Sequence, residues 1–419
     1  MDRRVLFATL ILFAGGAAGV GVATFAFVGL DDPTPDATVV WESDPADGDD
    51  GSGAATATVD GDTLVVQATL EDDERAVRAV EPGSGVVWTT PVTVESVGEN
   101  ETAGEATEPI VISSLATGSL GGDPVVALTT EPGTLVVLDA ANGSERFTVD
   151  LDGPSGITPA IGDPSDGTDD EPAAVVTAVT ETGSVVAVDA AGDTVFETSV
   201  AGSVARRPLV VAGDADPDGR SDPVAGGIAV TTSGIDTGTV TLFDIAGDER
   251  WSATPSVTAT SWTAAATRRG PVLALGGTNG NLETLEVADG AARYEVGLQD
   301  LPVTVGGTDA GRVHVGGVGD VWAVDLLDGE VVWKQQYGGE TRVNAPGVGD
   351  VTGDGTPNVV AVNRGGDVLA MNRNGEGTLR GSVPNVVVYA GPLFADITGD
   401  GTEAVIVVDE TGVVRALDV

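Results

Sequence analysis

The 419-residue chain has no cysteine, a single histidine (His314), a single lysine (Lys334) and only 4% aromatic residues. Without cysteine there can be no disulfide, thiolate nucleophile, iron–sulfur cluster or cysteine-bound zinc. A centre built from several histidines is excluded in the same way, and any serine-type triad has to run through His314, which lies between Val313 and Val315 in a stretch that reads as strand. Basic residues are scarce: 19 Lys and Arg stand against 65 Asp and Glu, a formal net charge of −46. No basic patch is available to neutralise phosphates, so nucleic acid is not an expected partner.

What the chain does have is 60 glycines and 22 prolines, which rule out a mostly helical protein, and 41% hydrophobic residues, enough to bury a sizeable core despite the charge. The acidic, lysine-poor composition resembles that of proteins from salt-loving archaea. In molar salt the Debye length falls to ~3 Å, so repulsion among the carboxylates is screened and they serve mainly to hold water at the surface.

Residues 5–30 form one uncharged run of 26 residues, long enough as a helix (~39 Å) to cross a hydrocarbon core of ~30 Å. A cleavable signal peptide has an apolar region of only ~7–15 residues, so residues 1–30 are expected to be an uncleaved signal anchor, a transmembrane helix. Arg3 and Arg4 precede it and the acidic linker 31–37 follows. By the positive-inside rule the N-terminus is cytoplasmic and the remainder extracellular.

From residue 38 onward the chain repeats. In residues 321–333, VWAVDLLDGEVVW, an apolar strand ends in Asp325, a turn carries Gly329 and a short strand ends at Trp333. Aligned on that polar position, the copies centre on Glu81, Asp139, Asp189, Asp244, Glu286, Asp325, Asn372 and Asp418. The eighth copy stops before its aromatic strand, and residues 37–43, ATVVWES with Trp41, supply the missing piece. The 382 residues from 38 to 419 give about 48 per copy, a propeller-blade length. The expected fold is therefore all-β: an eight-bladed β-propeller over 38–419, closed by its N-terminal strand, after an N-terminal transmembrane helix.

The pattern A-x-D-x-x-x-G-x-x-x-W, complete at Ala323, Asp325, Gly329 and Trp333, resembles the tryptophan-docking repeat of PQQ-like quinoprotein β-propellers. That resemblance implies either an enzyme binding pyrroloquinoline quinone or a cofactor-free scaffold such as the outer-membrane assembly lipoproteins. Trp41, Trp88, Trp251 and Trp333 are expected to pack between blades; Trp262 and Trp322 fall outside that position.

A second motif is acidic. In DADPDGRSD, Asp214, Asp216, Asp218 and Asp222 occupy positions 1, 3, 5 and 9, with Gly219 at position 6 and the Arg220 carbonyl at position 7, which suits calcium and its 6–8 oxygen ligands. DVTGDGTPN repeats the spacing with Asp350, Thr352, Asp354 and Asn358; DITGDGTEA does so with Asp396, Thr398 and Asp400, but has Ala404 at position 9. Position 12 holds Ala225, Ala361 and Val407 in place of the EF-hand glutamate, and the spacing instead resembles the FG-GAP or VCBS repeats of integrin-type propellers, in which such a loop joins two strands of one blade. The alternative is that Asp and Gly simply build Asx-turns. Residues 163–171 are acidic without clean spacing and read as a solvated turn, and Asn100 and Asn142 lie in glycosylation sequons.

These readings point to a membrane-anchored extracellular propeller that acts as a non-enzymatic binding or scaffold module, with structural Ca²⁺ and a cell-surface protein or glycan as partner. The alternatives are a PQQ-dependent dehydrogenase-like quinoprotein and a calcium-dependent polysaccharide-active enzyme. The first is disfavoured by the lack of a cysteine pair and of large insertions; the second rests only on plentiful Asp and Glu.

Overall fold

The computed structural model describes residues 38–44, 54–71, 74–93, 111–165, 174–214, 224–233, 238–298, 302–336 and 341–419. The signal anchor expected over residues 1–30 and the linker 31–37 lie outside the described residues.

The described strands form eight antiparallel sheets that follow one another along the chain. Blades 1 to 7 comprise residues 54–91, 116–150, 160–199, 203–253, 259–297, 304–336 and 347–382, and blade 8 comprises 388–418 together with 38–42. The innermost (first) strands of consecutive blades touch in cyclic order, and the first strand of blade 8 returns to that of blade 1. An eight-bladed propeller is the result, as the repeat predicts. Closure also takes the expected form: Thr38–Glu42 is the outermost strand of blade 8, paired antiparallel with Val414–Asp418 from Thr38↔Asp418 to Glu42↔Arg415. Ser43 extends the seam, its N–H donating to the Val414 carbonyl at 2.9 Å while the Val414 N–H donates to Ser43 Oγ at 3.1 Å.

Burial follows from the stacking of sheets. Middle strands such as Val175–Val179 and Asn358–Val362 are buried at every residue, because a neighbouring blade covers each face. Fourth strands such as Thr194–Ser199 and Val331–Gln336 alternate, with one aromatic residue buried on the inward side. The core is accordingly divided into eight apolar clusters, one at each junction between neighbouring blades. In blade 4 the first strand is split into Ser203–Val204 and Leu209–Val211, both paired with Gly227–Ser233. Between the two pieces lies Pro208, which has no N–H to give to a ladder.

The aligned polar residues end the third strands, and their side chains build the turn to the fourth. Oδ1 of Asp189 accepts the N–H groups of Ala191 and Asp193, Oδ1 of Asp244 those of Ala246 and Asp248, and Oδ1 of Asn372 those of Asn374 and Glu376. Each turn then reaches a glycine with φ between 72° and 87°: Gly143, Gly192, Gly247, Gly290, Gly329 and Gly375. On it rests the aromatic ring of the preceding blade, respectively Trp88, Phe147, Phe196, Trp251, Tyr294 and Trp333, so close that a Cβ would lie 2.5 to 3.0 Å from a ring atom. The indole N–H groups of Trp88, Trp251 and Trp333 donate to the carbonyls of Ala140, Val287 and Arg373 at 2.8 to 3.0 Å, and Tyr294 Oη to that of Asp325 at 3.0 Å. The repeat is thus an inter-blade lock: apolar ring, bare backbone to receive it, and a carbonyl to satisfy its polar atom. Trp41 serves the last junction, packed against the cluster that joins blades 8 and 1.

Candidate functional site

Antiparallel meandering sorts the connections onto two faces. The turns from first to second and from third to fourth strand share what is called here the lower face; those from second to third strand, and from one blade to the next, share the upper face. The described acidic motifs, those of blades 7 and 8, fall on the lower face. Asp350–Asn358 joins Gly347–Gly349 to Asn358–Val362 in blade 7, and Asp396–Ala404 joins Val388–Ala395 to Ala404–Asp409 in blade 8. In blade 4 the equivalent connection follows Leu209–Val211; Asp214 bridges Val224 there, while Asp216, Asp218, Arg220 and Asp222 lie outside the described residues. Each described loop joins two strands of one blade.

In the blade 7 loop, Asp350 Oδ2 accepts the Gly355 N–H at 2.7 Å. Thr352 Oγ1 lies 3.5 Å from Asp350 Oδ1 and 3.2 Å from Asn358 Oδ1, and Asp354 Oδ1 takes the Thr356 N–H at 2.8 Å. Side-chain oxygens from positions 1, 3 and 9 thus converge over a backbone turned by Gly353 and Gly355, at φ 66° and 76°. In blade 8, Asp396 accepts N–H groups from Thr398, Gly399 and Gly401, and Thr398 Oγ1 lies 3.5 Å from Asp396 Oδ1. Position 9 contributes nothing, since the Ala404 side chain has no oxygen. The Gly401 N–H, with those of Gly399 and Thr398, holds the Asp396 carboxyl below the usual carboxylate range. Hydrogen bonds from Thr402 and Thr398 do the same for Asp400. Among the described residues no three carboxylate or imidazole side chains form a common metal-binding group. A cation in either loop would therefore depend on threonine and carbonyl oxygens as well as carboxylates, with Asn358 added in blade 7, a donor set that suits calcium.

Sequence spacing treats the loops as separate, but the structure puts those of blades 7 and 8 in contact. The Glu403 N–H donates to the Asp350 carbonyl at 2.9 Å, and Glu403 Oε2 accepts the Asp350 N–H at 2.6 Å. A Cβ on Gly353 would meet Thr402 Oγ1 at 2.3 Å. Glu403, at position 8 of its loop, is the residue that spacing arguments pass over; a position-8 carboxylate is no metal ligand in the motif, so only the fold reveals it as the clasp between two blades. The N-terminal strand enters beside it. Thr38 is at the lower face opposite Asp418, and Val40 and Asp418 line a shallow depression with Thr398, Asp400, Thr402 and Glu403.

The remaining candidates resolve into structural roles. His314 is a blade residue, as expected, on Arg312–Gly316 opposite Ala323. Asn142 is a turn residue whose Oδ1 accepts the Ser144 N–H at 2.8 Å; Asn100 lies outside the described residues. Asp163 caps a turn by accepting the Ser165 N–H at 2.9 Å. Trp262 and Trp322, which the repeat leaves unexplained, are both buried: Trp262 Nε1 donates to the Arg207 carbonyl of blade 4, and the Lys334 ammonium sits 5.1 Å from the centroid of the Trp322 ring.

No family model and no curated protein matches this sequence. Solved structures do match in fold. A crystal structure of BamB from Moraxella catarrhalis aligns over 91% of this chain and 97% of its own at 18% identity, with a TM-score of 0.55. The C-terminal WD40 domain of Sif2 aligns over 93% and 99% at 9% identity and TM-score 0.61, and BBS1N, solved in complex with ARL6DN, over 74% and 94% at 15% and 0.51. At these identities the likeness is one of architecture: the chain is similar to known β-propellers.

Proposed function

We propose that the protein is a cell-surface binding platform: a non-enzymatic propeller, tethered by its N-terminal anchor with the ring outside the cell, that presents its loop surfaces to other surface proteins or glycans. The observation that carries this reading is the closed ring itself. Eight interlocked blades hold the loops of both faces on a rigid frame, so binding surfaces are preorganised without any catalytic element being required. One of the similar propellers, BBS1N, was solved in complex with another protein, ARL6DN, which supports a protein-binding use of this architecture. In the same reading the blade 7 and blade 8 loops, and Asp214, Asp216, Asp218 and Asp222 of blade 4, hold structural Ca²⁺, and the acidic surface is adapted to concentrated salt.

Crosslinking in native membranes followed by mass spectrometry tests the platform. A reproducible surface-protein or glycan partner is the expected result. Stoichiometric pyrroloquinoline quinone uptake with Ca²⁺, accompanied by alcohol- or sugar-dependent dye reduction, would replace the platform with the dehydrogenase. Detection of a mature N-terminus between residues 20 and 40 would remove the anchor.

A further inference from the structure

The upper-face turns between second and third strands repeat one backbone arrangement. In blade 2 the Glu131 N–H donates to the Val111 carbonyl, and the Glu131 carbonyl accepts the Ser155 N–H from the start of blade 3. In blade 3, Glu181 does the same between Pro154 and Val204; in blade 8, the Glu410 N–H donates to Val387. Blade 7 keeps this geometry and reverses its charge: the Arg364 N–H donates to the Arg342 carbonyl at 3.1 Å, and the Arg364 carbonyl accepts the Val388 N–H at 3.1 Å. All four turn residues are exposed. Arginine therefore stands where three other blades carry glutamate, and its neighbour across the hydrogen bond is a second exposed arginine.

In a chain of net charge −46, neither arginine forms an ion pair among the described residues, although Arg146, Arg293, Arg373 and Arg415 each do. The backbone hydrogen bond sets the two residues side by side, and desolvation and then the Arg364 charge lower the Arg342 pKa. The Arg364 guanidinium stacks over the Tyr389 ring at 5.5 Å, and Tyr389 is itself 40% exposed. A guanidinium carries five N–H donors in a planar fork that suits a planar, two-oxygen acceptor.

We propose that Arg342, Arg364 and Tyr389 form a docking site on the upper face of blades 7 and 8 for a carboxylate-bearing, acidic segment of a partner protein. Charge complementarity selects that occupant, since these are adjacent cations without an ion pair among the described residues, on a surface otherwise rich in carboxylates. The partially exposed tyrosine adds an apolar edge that suits a peptide chain.

The proposal deepens the platform reading and rests on it, yet it is tested separately. A fluorescently labelled, capped hexaglutamate peptide is titrated into the full chain at about 0.3 M salt, where long-range repulsion is screened, and anisotropy is recorded. Saturable binding is expected, weakened about tenfold or more in R364E and severalfold in R342Q. Because Glu is the residue of the equivalent turn in three blades, R364E should keep its melting midpoint; if it does not, R342Q carries the test. Equal binding by wild type and both variants, or no binding by wild type, overturns the site. Arg364-dependent binding of inorganic phosphate or phosphatidylglycerol vesicles in preference to the peptide overturns the choice of occupant. A surface partner crosslinked equally by wild type and R364E would leave the platform standing and remove only this site.

Discussion

His314 is 1% exposed, neither ring nitrogen has a hydrogen-bond partner among the described residues, and its ring stacks on Trp333 at 5.7 Å. Burial pushes its pKa down to about 4; the Asp309 charge opposes the shift and Arg312 adds to it. Below the ordinary value near 6.5, the unfolded chain takes up a proton that the folded chain refuses. Stability is thus unaffected by this residue above about pH 6.5 and falls by about 3 kcal/mol in all as pH drops toward 4. H314L is expected to match wild type in melting at pH 8 and to exceed it at pH 5; an identical pH 8 to pH 5 difference in both proteins would contradict this origin. Gly375 is the other single-residue test. At φ 77° and with Trp333 Cδ2 2.5 Å from where a Cβ would stand, G375A adds backbone strain and displaces the ring. A loss of about 2–3 kcal/mol is expected in denaturant unfolding, against near-zero loss if the ring does not rest on this turn.

Within blade 8, Asp409 ties the closing elements together. Its Oδ1 accepts the Thr411 and Val413 N–H groups and the Thr411 hydroxyl, and its Oδ2 meets Arg415, whose guanidinium also reaches Glu42 of the N-terminal strand at 3.5 Å. Burial raises the Asp409 pKa, but the hydrogen bonds from Thr411 and Arg415 outweigh it and leave the carboxyl below its ordinary value. Its stabilisation is therefore present above about pH 4 and lost as pH falls through the lowered pKa. D409N should cost about 3 kcal/mol at neutral pH by leaving Arg415 without its inner partner, measurable by urea unfolding. On the opposite face, divalent cation in the blade 7 loop should raise stability by roughly 1–3 kcal/mol when present at tens to hundreds of times its dissociation constant. Chelator at constant ionic strength should lower the melting midpoint of wild type more than that of D354A, in which only the blade 7 loop is disabled; an equal chelator effect on both proteins would count against calcium there.

The strands, their polar end residues and the aromatic partners were legible in the sequence because most blades spell out the same lock, and copies in register outweigh the ambiguity of any one. The contact between the blade 7 and blade 8 loops was not, since Asp350 and Glu403 lie 53 positions apart and no spacing rule connects residues of different blades. The arginine turn was equally hidden: only the shared backbone hydrogen bonds of the turns put Arg364 at the position of Glu131, Glu181 and Glu410.

At the scale of the whole molecule, stability is cooperative around the ring, because each apolar cluster belongs to two blades and none to one alone. Such a ring resists local opening only while its last junction holds, and that junction depends on five residues, Thr38–Glu42, brought from the far end of the chain. Losing them uncovers the edge of Val414–Asp418 and the Trp41 side of the cluster between blades 8 and 1. Comparison of a chain beginning at residue 38 with one beginning at residue 45 tests this most directly, since only the second lacks the closing strand. A melting midpoint lower by about 10 °C or more, or loss of a single cooperative transition, is predicted for the shorter chain; coincident midpoints would contradict closure by the N-terminal strand and with it the rigid ring.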